Sequence, residues 1–116
     1  MKMHTVNLAL ISFEENKLVD LAVNVRAHLC KDEYARPNGV LRAQIERYLK
    51  NHIDTENLSP RAQQLLTTIQ AGKKLVGQRK PKKVLAEVKR KLKTVLHPYQ
   101  LSRGQKRFYL IRTSAE

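Results

Sequence analysis

With a single cysteine, Cys30, among 116 residues, the chain can close no internal disulfide and build no multi-cysteine zinc site, and a reducing compartment is expected. Tryptophan is absent and there are only 2 Phe and 4 Tyr, so stacking platforms for unpaired bases are scarce. No apolar run approaches the roughly 20 residues that cross a bilayer. The opening Met1-Lys2-Met3-His4 lacks the apolar core and small-residue cleavage site of a secretory signal, so a cytoplasmic, nucleoid-associated location without membrane contact is expected. The histidines, His4, His28, His52 and His97, are too widely spaced for a metal-ligand motif. Gly72 and Gly77 lack the Lys-Ser/Thr ending of a nucleotide-binding loop. Acids are scarce too, and only Glu56, Glu87 and Glu116 occur after residue 55, too few for a two-metal nuclease. Cys30 reads as a small buried apolar residue rather than a nucleophile. These absences predict a protein that is not an enzyme and takes no cofactor, metal or small-molecule substrate.

What is abundant is positive charge. Lys and Arg number 23 against 10 Asp and Glu, for a net charge of +13. Residues 1–55 hold 8 basic and 7 acidic side chains and residues 56–116 hold 15 and 3, so the halves carry about +1 and +12. A charge segregated in this way implies a polyanionic partner, because binding relieves self-repulsion and releases condensed counterions. The phosphate-contact residues expected in the second half are Lys73, Lys74, Arg79, Lys80, Lys82, Lys83, Lys89, Arg90, Lys91, Lys93, Arg103, Lys106 and Arg107. The alternative is a solvated Lys-rich surface with no ligand.

Periodicity divides the chain into short elements. Val6, Leu8 and Leu10 alternate with Thr5, Asn7 and Ala9, which predicts a half-buried strand with the larger apolar residues inward. Ser12-Phe13-Glu14-Glu15 has the form of a capping box, and Leu18, Leu21, Ala22, Val25 and Leu29 continue it as a helix from about 13 to about 30. After a polar loop containing Pro37, a second helix is predicted over Gly39 to Asn51, with Leu41, Ile45, Tyr48 and Leu49 on one stripe. Ser59-Pro60 predicts the start of a third helix that runs to about Ala71. Residues 72–81 read as a basic loop or an extension of that helix. From Pro81, Leu85, Val88, Leu92, Val95 and Leu96 define a fourth helix that Pro98 stops. Ser102-Arg103-Gly104-Gln105 reads as a turn and Arg107 to Arg112 as a short strand. The fold class is therefore mainly α with short β, an α+β arrangement.

Residues 4–53, a strand followed by two helices, resemble the ribbon-helix-helix family of DNA-binding proteins. The resemblance implies a homodimer whose N-terminal strands pair as a two-stranded ribbon in the major groove. It implies base contacts from Thr5, Asn7 and Ala9, since short polar groups and a methyl can meet base edges. Pro37-Asn38-Gly39-Val40-Leu41 looks like the start of that family's second helix, which places Asn38 and Gly39 at a phosphate. The chain would then divide into a dimerising, DNA-reading module over 1–55 and a basic helical extension with a C-terminal strand over 56–116. Two other arrangements remain open. Residues 4–11 can be a strand of an ordinary α+β fold paired with 107–112, or the second half can resemble a winged helix, with the fourth helix in the major groove and the turn at 103–107 as the wing. The function expected is a homodimeric, sequence-specific transcriptional regulator or mobile-element accessory protein on double-stranded DNA. An RNA-binding or ribonucleoprotein-subunit protein is the alternative, and an acidic protein partner is a third possibility.

Overall fold

Capping chemistry sets where two of the helices begin. In a computed structural model that describes residues 6–31, 39–51, 58–77, 82–102, 104 and 107–113, the order is β1 (Val6–Leu10), α1 (Phe13–Lys31), α2 (Gly39–Asn51), α3 (Pro60–Gly77), α4 (Lys82–Leu96), β2 (Tyr99–Leu101) and β3 (Phe108–Thr113). Ser12 Oγ accepts the Glu15 amide at 3.1 Å before α1, and Ser59 Oγ accepts the Ala62 amide at 3.1 Å before α3. Pro60 opens α3 at the first helical position, where its missing N–H is no loss. At the other end of the bundle, α4 stops at Leu96, before Pro98. Gly104, at φ +92°, turns the chain between β2 and β3 in a conformation that suits glycine.

The structure is mainly helical with one three-stranded antiparallel sheet, as the α+β expectation required. The strand order is β1-β3-β2, so the C-terminal strand lies in the middle. Leu8 pairs with Ile111, Ala9 with Leu110 and Leu10 with Tyr109, while Tyr99 pairs with Leu110 on the other side. β1 thus finds its ladder partner within the chain, the pairing expected of an ordinary α+β fold, and its second edge lies at the rim of the sheet.

The faces of β1 are exchanged relative to the sequence expectation. Ala9, expected to point outward, is half-buried against the core, whereas Leu8 and Leu10 are 48% and 62% exposed. Pairing with β3 is the cause. Phe108 and Leu110 are buried, and Ala9 lies opposite Leu110 on the same face. Alternation then sends Leu8 and Leu10 to the opposite face with Ile111 and Tyr109.

α1, α3 and α4 pack together, with Leu18, Val25, Leu29, Leu65, Ile69, Leu75 and Leu92 buried among them. Tyr99, Phe108 and Leu110 of the sheet join the same cluster, which therefore draws on both halves of the chain. The helix α3 continues through Gly72 to Gly77, the helical of the two expectations for that stretch. Gly72 is buried where α3 crosses α1, and a Cβ there would stand 2.6 Å from Val25 Cγ1. The glycine permits a close helix approach, and it does not break the helix. Cys30 corrects another expectation: it is exposed, because Leu29 occupies the inward position and the next residue lies about 100° round the helix.

Glu15 is the main buried polar residue. Its carboxylate accepts Ser59 Oγ–H at 2.9 Å and the Tyr99 hydroxyl at 3.1 Å, tying the starts of α1 and α3 to β2. Burial raises the Tyr99 pKa, and the Glu15 charge and hydrogen bond add to it, with Arg61 acting in the opposite direction. Beside this junction, Arg107 Nη2 donates to the Ile11 carbonyl at 3.0 Å and the Phe108 amide donates to Asn16 Oδ1 at 2.8 Å. These bonds fasten the hairpin to the start of α1.

Candidate nucleic-acid interface

The amphipathic pattern of α4 decides which of its cations reach solvent. Leu85, Val88 and Leu92 are buried, and at about 100° per residue they commit one side of the helix to the core. Lys82, Lys89 and Lys93 then fall in one row along the helix and Lys83 and Arg90 in a second. Lys82, Lys83, Arg90 and Lys93 are exposed, and Lys89 is half-buried. At 1.5 Å per residue, Lys82 and Lys93 stand about 16 Å apart along the axis. Lys91 lies on the flank and meets Glu87 at 3.4 Å, both side chains being largely exposed.

Four residues separate α3 from α4, fewer than the ten allowed for by a helix ending at Ala71. Lys74, in the last turn of α3, is exposed. Lys73 instead reaches α2, with Nζ 3.6 Å from Glu46 Oε1, a carboxylate that also receives Arg42 Nε at 3.3 Å. Among the described residues, Lys74, Lys82, Lys83, Arg90 and Lys93 have no acidic partner. Lys89 and, on α1 and α2, Lys31, Arg47 and Lys50 are likewise without an acidic partner among the described residues.

The other expected site residues are distributed differently. Arg107 is half-buried and its Nη2 donates to the Ile11 carbonyl, which anchors the side chain beside the hairpin. Gly39 opens α2 on the surface, with no neighbour near a Cβ built on it. Ala9 lies inward, as described above. Thr5, the side chain of Asn7, Asn38, Arg79, Lys80, Arg103 and Lys106 lie outside the described residues.

A groove of about 760 Å³ between the first half of α3 and the second half of α4 was not foreseen. Gln63, Gln64 and Thr67 line one wall and Arg90, Lys91 and Thr94 the other. Thr67 and Thr94 donate their hydroxyls to the Gln63 and Arg90 carbonyls of their own helices, so toward a ligand these oxygens act as acceptors. Arg90 supplies donors, as does Lys91 beside its Glu87 partner; Gln64 supplies both kinds of group, while Gln63 already donates from Nε2 to the Leu58 carbonyl at 3.2 Å. The sequence signalled the start of α3 but not which residues of α4 would oppose it.

Among the described residues, no group of three or more His, Cys, Asp or Glu could hold a metal ion, and no helix is long and apolar enough to cross a membrane. No family model, curated protein or solved structure matches the chain.

Proposed function

We propose that the protein binds nucleic acid non-catalytically, with duplex DNA as the ligand, through the outer face of α4. The observation that carries this reading is the pair of cationic rows on α4, together with Lys74, which have no acidic partners among the described residues while the opposite side of the helix is committed to the core. Phosphates supply the missing counter-charge, and a straight helix about 10 Å across fits a major groove about 12 Å wide. The four-residue connection before α4, the hairpin after it and the strand order β1-β3-β2 favour the winged-helix arrangement, with α4 against the duplex and the turn between β2 and β3 as an accessory contact. A ribbon built on β1 is less favoured, since β1 turns Leu8 and Leu10 outward and gives Ala9 to the core. A regulatory role requires sequence selectivity in addition. Gln63, Gln64 and Arg90 are the groups in the α3–α4 groove able to read hydrogen-bonding edges.

Fluorescence anisotropy with one sequence as duplex DNA, duplex RNA and single strand tests the proposal across a salt series. Duplex DNA is expected to bind most tightly, with affinity falling steeply in salt. Reversing Lys82, Lys83 and Lys93 to Glu should weaken binding to every sequence and reduce the salt slope by about 3, near one unit for each phosphate no longer neutralised. Binding that ignores salt, or is unchanged in the triple variant, refutes the role of α4. A preference for RNA moves the assignment to the ribonucleoprotein reading.

A further inference from the structure

The groove between α3 and α4 has the size and lining of a ligand site. Its volume of about 760 Å³ falls within the roughly 300–1,000 Å³ typical of small-molecule sites, which often lie between the helices of a bundle. Arg90 and Lys91 line it and, among the described residues, no acid does, so its charge is unbalanced. Lys91 meets Glu87 at 3.4 Å, whereas the Arg90 guanidinium has no hydrogen bond or ion pair among the described residues. Thr67, Thr68 and Thr94 donate their hydroxyls to carbonyls four residues back in their own helices. Arg90 and Gln64 are therefore the lining side chains whose donors are wholly uncommitted.

We propose that this groove binds a small organic carboxylate, its head group paired with Arg90 and its apolar body set against Pro60 and Val95. Charge complementarity calls for an anion, since the lining is cationic. The planar guanidinium fork matches the two oxygens of a carboxylate. A phosphate carries more charge and more acceptor oxygens, and phosphate sites commonly add the backbone amides of a helix N-terminus. Here the amides behind Pro60 are taken by Ser59: Ala62 N–H donates to its Oγ at 3.1 Å and Gln63 N–H to its carbonyl at 2.9 Å. The groove is left mainly with side-chain donors, which suit a single negative charge.

Arg90 also stands in the second cationic row of α4, with Lys83. A carboxylate on Arg90 withdraws that cation from the outer face and sets a negative charge beside the rows, so an occupied groove opposes phosphate contact by α4. It also covers Gln63 and Gln64, the groups offered to base edges. The site stands on its own lining; only this antagonism rests on the assignment of α4 to nucleic acid.

Heteronuclear NMR titration of the full chain with 2-naphthoate, without nucleic acid, tests the site. A probe of about 13 non-hydrogen atoms should bind with Kd near 1 mM or tighter and shift the backbone amides of α3 and α4 along the groove. The uncharged 2-naphthamide should bind about tenfold more weakly or worse, and Arg90→Gln should weaken 2-naphthoate binding by a similar factor. Arg90→Lys, which keeps the charge and loses the fork, should fall between. Lys50→Gln removes one charge on α2, outside the groove, and should bind as the parent does. Arg90 is exposed, so thermal midpoints of its variants should match that of the parent. An absence of shifts up to about 10 mM, shifts scattered over lysines away from the groove, or undiminished binding by Arg90→Gln overturns the inference. Tighter binding of 2-naphthyl phosphate overturns the choice of carboxylate. In a separate arm, saturating 2-naphthoate should weaken duplex-DNA binding at matched ionic strength. Probe binding with unchanged DNA affinity keeps the site and removes Arg90 from the nucleic-acid face.

Discussion

Replacing Gly72 by Ala tests whether α1 and α3 are held at the separation that the glycine allows. The new methyl would lie 2.6 Å from Val25 Cγ1, about 1 Å inside ordinary carbon–carbon contact. Two effects oppose each other. Alanine gains about 1 kcal/mol over glycine in a helix interior, while overpacking a filled core costs roughly 1–3 kcal/mol. Val25 is fully buried and valine in a helix has essentially one rotamer, so it cannot swing aside cheaply. The clash should outweigh the propensity gain. We expect a net loss of about 1 kcal/mol, seen as a midpoint about 4 °C lower and a reduced urea midpoint at unchanged m-value. The decisive form is a double-mutant cycle. Val25→Ala alone should cost about 2 kcal/mol through its cavity, but beside Gly72→Ala the added methyl occupies the vacated space, so the double variant should lose about 1 kcal/mol less than the sum. A Gly72→Ala protein that is more stable than the parent, and additive with Val25→Ala, would refute the close-approach reading.

Glu15→Gln turns an acceptor into a donor facing Ser59 or Tyr99 and should destabilise the fold by about 1–3 kcal/mol in thermal melts; a shift near zero would show that the buried bonds at Glu15 contribute little. Burial, then the charge and hydrogen bond of Glu14, push the Tyr48 pKa up from 10.0 to about 12, so the folded state disfavours the phenolate. The stability from this site is complete below pH 10 and lost as pH rises toward about 12, and urea titrations should show a shallower alkaline decline in Tyr48→Phe than in the parent. Lys73→Ala removes an ion pair whose Glu46 partner is half exposed and should change stability by no more than about 0.5 kcal/mol; a larger loss would mean that this pair docks α2 on α3.

The helices were legible because their signals are local. Ser12 and Ser59 cap where the sequence places them, and Leu18, Leu21, Ala22, Val25 and Leu29 are all buried as their spacing required. The strand was legible as a strand but not in its orientation. Period 2 says that Leu8 and Leu10 share a face; which face turns inward depends on Phe108 and Leu110, about a hundred residues away in the chain. The same limit applies to Gly72, which locally resembles a helix stop but lies inside α3, where a Cβ would clash with Val25 of α1. At the candidate interface the lysines of α4 could be named from composition, but their sorting could not. Lys73, Lys91 and Arg107 are engaged by Glu46, Glu87 and the Ile11 carbonyl, and of these only the Lys91 pair, four residues apart on one helix, was within reach of sequence.

The electrostatics of α4 also run against its own formation. A helix N-terminus carries partial positive charge and favours acids, yet the first turn of α4 opens with Lys82 and Lys83 and contains no acid. Further along, Glu87 is the only acidic residue of the helix and is already engaged with Lys91. Leu85, Val88 and Leu92 offset this repulsion by their burial, so α4 depends on its packing against α1 and α3 more than on its own charges. A phosphate near Lys82 and Lys83 would meet two lysines and the unsatisfied amides of the first turn together, reversing an unfavourable local field. The feature that weakens α4 as a free helix is thus the one that a bound nucleic-acid backbone would turn into affinity.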